Sequence, residues 1–148
     1  MLSMPTFSRY VSALLLLCAS CFALPAQAQR LLPSPDSEEL VKLNASIEFP
    51  RGGMTGICAM RYEAGVMKGC LFNEFGISAL DFTYRPDKRK VRIEHAIKML
   101  NKWYIKRVLR QDLLHVIDAL GQGDTTYVNA KRHITYQFSP MTLDETQE

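Results

Sequence analysis

Short apolar runs separated by turn signals occupy the middle of the chain and predict an antiparallel meander of three or four strands. Each run has the length of a strand and is rich in residues that suit a pleated surface. The turn signals between the runs include Gly65, Gly76 and Pro86. The predicted strands cover residues 54–62, 66–72, 77–84 and 90–94.

The segments on either side of the meander carry weaker patterns. Asp36 followed by Glu39 resembles the start of a short capped helix over residues 37–43. Residues 45–49 have the composition of a first strand. Near the end of the chain, residues 125–138 alternate well enough to predict a strand or a hairpin that rejoins the sheet.

Residues 94–120 contain neither Pro nor Gly and predict a long amphipathic helix. Gly121 and Gly123 end it, although a break near Asn101 would give two helices instead. The expected fold class is therefore α+β, with a curved antiparallel meander, like an incomplete barrel, packed against this helix. The apolar positions with helical spacing are 105, 108, 109, 113, 116, 117 and 120.

The first predicted hairpin places two cysteines opposite each other. Its turn is read as three residues ending in Gly65, which suits a left-handed glycine bulge. That register pairs Tyr62 with Val66 and Cys58 with Cys70. The two cysteines form either a cross-strand disulfide or a pair of small apolar side chains, and the second interpretation is favoured.

Apolar residues fall on both faces of the predicted sheet. A sheet with one solvated face alternates more cleanly, so we expect both faces to be covered. The helix can cover one of them, and the sheet then curls around itself or a guest molecule. The N-terminal segment is an alternative cover. One face carries Cys58, Met60, Tyr62, Val66, Cys70 and Phe72, and the other carries Ile57, Ala59, Met67 and Leu71.

The N-terminus predicts export. Residues 1–28 have a basic residue, an apolar run and a small-residue cleavage pattern, which are typical of a secretory signal peptide cut after Ala28. Lipidation at Cys21 is an alternative processing route. Either route predicts a periplasmic or outer-membrane-associated protein. The remaining chain is divided into a linker over 29–37, one domain over 38–140 and a flexible tail over 141–148.

Charge and motifs argue against several function classes. A net charge of +3 over 148 residues is too slight to favour nucleic acid as a partner. The sequence carries no nucleophile motif, phosphate-binding loop or dinucleotide fingerprint. Its three histidines, His95, His115 and His133, have spacings that form no metal-ligand set. Glu74 and Asp81 make a poor acid/base pair, because Glu74 belongs to a turn. We therefore expect no enzyme, no cofactor and no metal site.

Basic residues recur every four positions along the predicted helix. The stripe consists of Lys98, Lys102, Lys106 and Arg110, with Trp103 among them. A stripe of this kind suits contact with anionic lipid head groups or with a partner protein, and a solvated helix face is the alternative.

The section from Gly56 to about Leu114 resembles a reduced member of the LolA/LolB-like outer-membrane lipoprotein carriers. It is similar in order: a strand opening with Gly56, a hairpin, a turn at Phe75-Gly76, an apolar strand and then a helix. The chain is shorter than the transport proteins of that family and lacks their complete set of strands before the helix. The resemblance implies an incomplete barrel whose apolar interior holds acyl chains. The implied lining residues are Met60, Tyr62, Phe72, Leu80 and Phe82.

These observations predict an exported protein that binds an acyl chain, a lipid or a lipoprotein in an apolar concave sheet, without catalysis. The alternative is a structural module that docks on an envelope protein complex through an apolar strip and the basic helix.

Overall fold

A computed structural model describes residues 30–141, which hold seven strands and one helix. In chain order they are β1 Val41–Phe49, β2 Gly52–Glu63, β3 Val66–Phe72, β4 Ser78–Arg85, β5 Lys90–Ala96, α1 Trp103–Gly121, β6 Thr126–Asn129 and β7 Ile134–Pro140.

All seven strands belong to one antiparallel sheet in the order β5-β4-β3-β2-β1-β7-β6. The sheet curls into a half-barrel with α1 packed against it, so the predicted α+β fold with a curved sheet is confirmed. The first five strands form the meander, and the β6–β7 hairpin joins its other side through β1. Because α1 contacts both edge strands, β5 and β6, it spans the opening of the half-barrel.

The core lies between α1 and one face of the sheet. The helix contributes Leu109, Leu113 and Val116, at the spacing that brings side chains to one side of a helix. Full burial of an aliphatic side chain contributes about 1.5–3 kcal/mol to stability. The packing of α1 on the sheet is therefore the main source of the stability of the fold. The sheet residues of this core cluster are Leu43, Ala45, Ile47, Cys58, Met60, Tyr62, Met67, Leu71, Leu80, Phe82, Tyr84, Val91, Ile134, Tyr136 and Phe138.

The outer face of the sheet, turned away from α1, is mainly polar. Asn44 and Ser46 of β1 lie on it, and the exposed side chains of Arg61 and Lys68 continue it across β2 and β3. The prediction that both faces are apolar is therefore wrong. It depended on a register that joined the core-facing residues of β2 to the outward-facing residues of β3.

The turn between β2 and β3 explains that error. It contains two residues, Ala64 and Gly65, with φ angles of 50° and 77°, and Glu63 pairs with Val66. Two positive φ angles are typical of a type I′ turn, whose twist matches that of the flanking strands. The expected three-residue turn is one residue too long, which moves every β3 side chain to the other face.

The corrected register separates the cysteines. Cys58 pairs with Leu71 and faces the core, whereas Cys70 pairs with Ala59 and lies on the outer face. Both are free thiols, so the favoured interpretation of two unbridged cysteines holds and the alternative of a Cys58–Cys70 disulfide does not. Their packing side by side is also wrong, since they lie on opposite faces.

Two segments predicted to be helical contribute strand residues instead: residues 41–43 begin β1 and residues 94–96 end β5, while residues 37–40 form neither helix nor strand. The segment over residues 37–43 leads directly into β1, because Leu43 is needed on the core face opposite Cys58. Residues 94–96 complete β5, and the amide of Ile97 still donates to the carbonyl of Ala79 at 3.0 Å. The chain does break near Asn101, as the alternative interpretation proposed, but a strand rather than a helix precedes the break.

The N-terminal part of the described chain packs on the core. Leu31 and Leu32 contact it, and Pro33 is buried. Leu32 lies beside Gly121, at the C-terminal end of α1. Residues 31–33 of the predicted linker thus cover one end of the half-barrel. The predicted signal peptide, Cys21 and almost all of the predicted tail lie outside the described residues.

Candidate functional site

An apolar cleft of about 560 Å³ opens at the other end of the half-barrel, beside the N-terminal half of α1. We call it the end cleft. Three elements form its walls: the β1–β2 turn, the start of α1 with the residues before it, and the β6–β7 turn. Its lining consists of Phe49, Pro50, Arg51, Gly52, Gly53, Met99, Leu100, Tyr104, Ile105, Val108, Leu109, Arg132 and Ile134.

The end cleft has a buried apolar floor and an exposed apolar rim. Leu100, Leu109 and Ile134 are buried and belong to the hydrophobic core. At the rim, 58% of Met99 and 49% of Tyr104 are exposed. Apolar side chains that stay accessible above an apolar floor are typical of a binding cleft rather than of a closed core.

The charged residues that line the end cleft are both basic. Arg51 and Arg132 line it, and no acidic residue of the described chain does. Lys98 and Lys102 flank Met99 and Leu100 in the chain, and the first turn of α1 carries no acidic residue. The cleft therefore combines an apolar interior with a positive electrostatic potential at its mouth.

A smaller hollow of about 230 Å³ adjoins the end cleft and shares Met99 with it. Ile77 and Phe72 also line this hollow. Exposed apolar residues line these two openings or lie close in the chain to residues that do, and we call them the rim patch. The rim patch consists of Phe75 (77% exposed), Ile77 (59%), Met99 (58%), Trp103 (73%) and Tyr104 (49%).

The predicted lining residues do not meet in one cavity. Met60, Tyr62, Leu80 and Phe82 are buried and pack together in the core beneath α1. Phe72 pairs with Ile57 and shares its face of the sheet, away from Met60. The five therefore divide into four core residues and one residue of the smaller hollow.

Sequence reasoning missed the residues of the end cleft. Leu100 and Tyr104 could extend the apolar stripe of the predicted helix upstream of residue 105 and could have been singled out on that ground. Phe49 and Ile134 could not, because they come from strands far apart in the chain. Only the closure of the sheet around α1 brings them to the same opening.

The basic stripe lies at the surface beside the end cleft. Lys98 precedes α1, Lys102 is its N-cap residue, and Lys106 and Arg110 follow at successive turns. Trp103 packs edge to face against Tyr104 with ring centroids 5.9 Å apart. The residues predicted to contact a membrane or a partner thus adjoin the rim patch.

A polar row crosses the outer face from β3 to β5. The Ser78 hydroxyl donates to Asp81 Oδ1 at 2.6 Å, Cys70 Sγ lies 3.5 Å from Ser78 Oγ, and His95 Nδ1 lies 3.7 Å from Asp81 Oδ2. The carboxylate, not the imidazole, is next to the serine. Partial burial and then the hydrogen bond with Asp81 raise the pKa of Cys70. Ser78 therefore has a weakly basic carboxylate rather than an imidazole beside it, and the raised pKa of Cys70 keeps its thiol neutral at neutral pH.

A buried carboxylate connects α1 to the β6–β7 hairpin. Asp112 accepts hydrogen bonds from the Tyr136 hydroxyl at 2.7 Å and from Asn129 Nδ2 at 2.8 Å. Burial, followed by the hydrogen bond with Asp112, raises the pKa of Tyr136. Tyr127 lies between Tyr136 and the stacked ring of His115. This network holds the hairpin that supplies Arg132 and Ile134 to the end cleft.

Residues 30–141 contain no group of three His, Cys, Asp or Glu side chains placed to hold a metal ion. Over the same residues, no helix is both long enough and apolar enough to cross a bilayer.

No protein-family model, curated protein or solved structure matches this chain. The resemblance to the LolA/LolB-like carriers therefore stays a prediction.

Proposed function

We propose that this is an exported, non-catalytic protein that binds an acyl chain, free or as part of a lipid or lipoprotein, in the end cleft. The observation that carries the proposal is an apolar opening of about 560 Å³ whose floor is continuous with the hydrophobic core. Clefts of about 300–1,000 Å³ accommodate small ligands.

Apolar burial would drive the binding. Each methylene group removed from water contributes about 0.8 kcal/mol, so roughly ten buried methylenes supply about 8 kcal/mol before the cost of ordering the chain is subtracted. Met99 at the rim supports this interpretation, since its flexible thioether adapts to ligands of varied shape.

The proposed location differs from the concave face expected from the sequence. That face is filled by α1 and by residues such as Met60 and Leu80, which are each 1% exposed. A ligand there would have to displace the helix. The end cleft needs no such rearrangement, because its rim is already accessible.

Uptake of a fluorescent fatty acid by the purified protein tests the proposal. The variant Met99→Glu/Tyr104→Glu places two charges on the exposed rim, and we expect an affinity loss of roughly tenfold or more. The matched control is Leu40→Glu, which changes an apolar residue that is 49% exposed and lies outside the cleft. Absence of uptake by the unmodified protein, or equal affinities for the rim variant and the control, would overturn the proposal.

A second candidate function is docking on an anionic membrane surface through the rim patch and the basic stripe. Trp103 supports it, because a tryptophan that is 73% exposed beside Lys98 and Lys102 has the amphipathic character of interfacial anchors. The positive charges complement anionic head groups. This role is compatible with acyl-chain binding, since the end cleft would then open toward the bilayer.

A further inference from the structure

We infer that the ligand of the end cleft carries an anionic head group, which Arg51 and Arg132 bind at the mouth of the cleft. This inference rests on the proposed function and specifies its ligand: a single acyl chain that ends in a carboxylate or a phosphate.

The two arginines reach the cleft from separate loops. Arg51 follows Pro50 in the β1–β2 turn, and Arg132 lies in the β6–β7 turn. Both residues are exposed, so their guanidinium groups retain water until a ligand arrives. Because both arginines line the same cleft, the inferred site is a head group at its mouth that both guanidinium groups contact.

Neither arginine has a carboxylate partner within residues 30–141, which distinguishes them from arginines elsewhere on the sheet. Arg89 binds Asp118 at 2.7 Å, and Arg85 lies 3.5 Å from Asp87. Arg61 and Arg92 also lie beside glutamates. The guanidinium groups at the end cleft thus remain available to an external anion.

The turn that bears Arg132 is held in place by the buried network. The Arg132 amide donates to Asn129 Oδ1 at 3.1 Å, and Asn129 Nδ2 in turn donates to Asp112. The backbone from which the Arg132 side chain extends is therefore anchored to α1, which limits the entropy lost when an anion is bound.

The combination of side chains selects against neutral amphiphiles. Arginine binds carboxylates and phosphates through paired N–H donors, and such charge-assisted hydrogen bonds are about twice as strong as neutral ones. A fatty alcohol would fill the same apolar floor but would give the two guanidinium groups no anionic partner. A free fatty acid and a phosphorylated lipid share the required chemistry, and only the head-group oxyanion differs.

Three probes of equal chain length test the inference by calorimetry at neutral pH and low salt: dodecanoate, dodecyl phosphate and dodecanol. We expect the unmodified protein to bind at least one of the two anions roughly tenfold or more tightly than the alcohol. A preference for dodecanoate would identify a fatty acid, and a preference for dodecyl phosphate would identify a phosphorylated lipid. Added salt should reduce the preference, because exposed charges are screened.

The variant Arg51→Gln/Arg132→Gln should bind all three probes with the affinity of dodecanol. The control Arg61→Gln/Arg85→Gln removes the same charge far from the cleft and should keep the anion preference. If the unmodified protein binds the anions and the alcohol equally, the head-group inference is wrong while acyl-chain binding stands. If it binds none of the three, the proposed function itself is wrong. Equal loss in both variants would show a general charge effect and would also overturn the assignment to Arg51 and Arg132.

Discussion

The hydroxyl of Tyr136 donates a hydrogen bond of 2.7 Å to the carboxylate of Asp112. Both side chains are buried, at 0% and 2% exposure, and Asp112 is the buried charged residue of the described chain. A carboxylate removed from water is costly unless hydrogen bonds satisfy it. The contact therefore determines how α1 sits against the hairpin that forms one wall of the end cleft.

Replacing Asp112 by Leu should lower the free energy of unfolding by about 3 kcal/mol or more, because Tyr136 and Asn129 would both lose their buried acceptor. Tyr136→Phe should lower the free energy of unfolding less, by about 1–2 kcal/mol, because Asp112 still accepts the hydrogen bond from Asn129. Urea denaturation of Asp112→Leu, Tyr136→Phe and the double variant measures the interaction energy between the two residues. Additive losses would contradict a direct interaction between the two residues. Asp124→Asn, at an exposed position, serves as the control.

Gly69 leaves space for the ring of Phe82 on the neighbouring strand, and a Cβ at position 69 would collide with that ring. Gly69→Ala should therefore destabilise the protein by about 1–3 kcal/mol. Adding Phe82→Leu should recover part of the loss, since the smaller side chain can make room. Thermal unfolding compares both with Gly121→Ala, whose new Cβ meets Leu32 at an ordinary 3.6 Å. A neutral Gly69→Ala would show that the ring is free to move.

Burial raises the pKa of Cys58 from 9.0 to about 12. The folded state thus favours the neutral thiol, and the stabilisation is complete below pH 9.0 and is lost as the pH rises toward about 12. Between these two pH values, Cys58 makes the free energy of unfolding fall by about 1.4 kcal/mol per pH unit. Cys58→Ala should remove that component of the slope.

The same burial predicts that the Cys58 thiol is alkylated slowly in the folded protein. Iodoacetamide at neutral pH should modify it only after unfolding, whereas the half-buried Cys70 should react first. Peptide mass spectrometry identifies the modified residue. Rapid labelling of Cys58 in the folded protein would mean that the core opens more readily than its packing indicates.

Docking on anionic membranes has a specific reporter, because Trp103 is the single tryptophan of the sequence. Vesicles that contain phosphatidylglycerol should shift its emission to shorter wavelength, and neutral phosphatidylcholine vesicles should not. Lys98→Glu/Lys102→Glu should abolish the shift. The control Lys88→Glu/Lys90→Glu changes the turn between β4 and β5 and the start of β5, away from the rim patch. An unchanged emission spectrum with both lipids would exclude this role.

Processing of the N-terminus has a measurable outcome. We expect the mature protein to begin at Gln29 and to be released from the envelope by osmotic shock. Intact mass spectrometry distinguishes this product from a chain that begins at a lipidated Cys21. Cys21→Ser should leave release unchanged if cleavage follows Ala28, and retention of the unmodified protein in the membrane fraction would contradict that route.

Local patterns in the sequence predicted most of the sheet and the helical stripe of α1. Alternation and turn residues are local properties, and they correctly identified β2, β3, β4 and β5 and the hairpin at the end of the chain. The stripe of leucine, valine and isoleucine over α1 has the helical period, because one side of the helix must face the core. These features follow from the chain itself.

Tertiary structure alone decided the register, the faces and the site. The backbone of Ala64 takes a positive φ, which shortens the β2–β3 turn by one residue and reverses the faces of Cys70 and Phe72. A sequence pattern does not distinguish two-residue from three-residue turns when either fits the same glycine. The end cleft is lined by Phe49, Tyr104 and Ile134, which are distant in the chain, so only the closing of the sheet around α1 could reveal it.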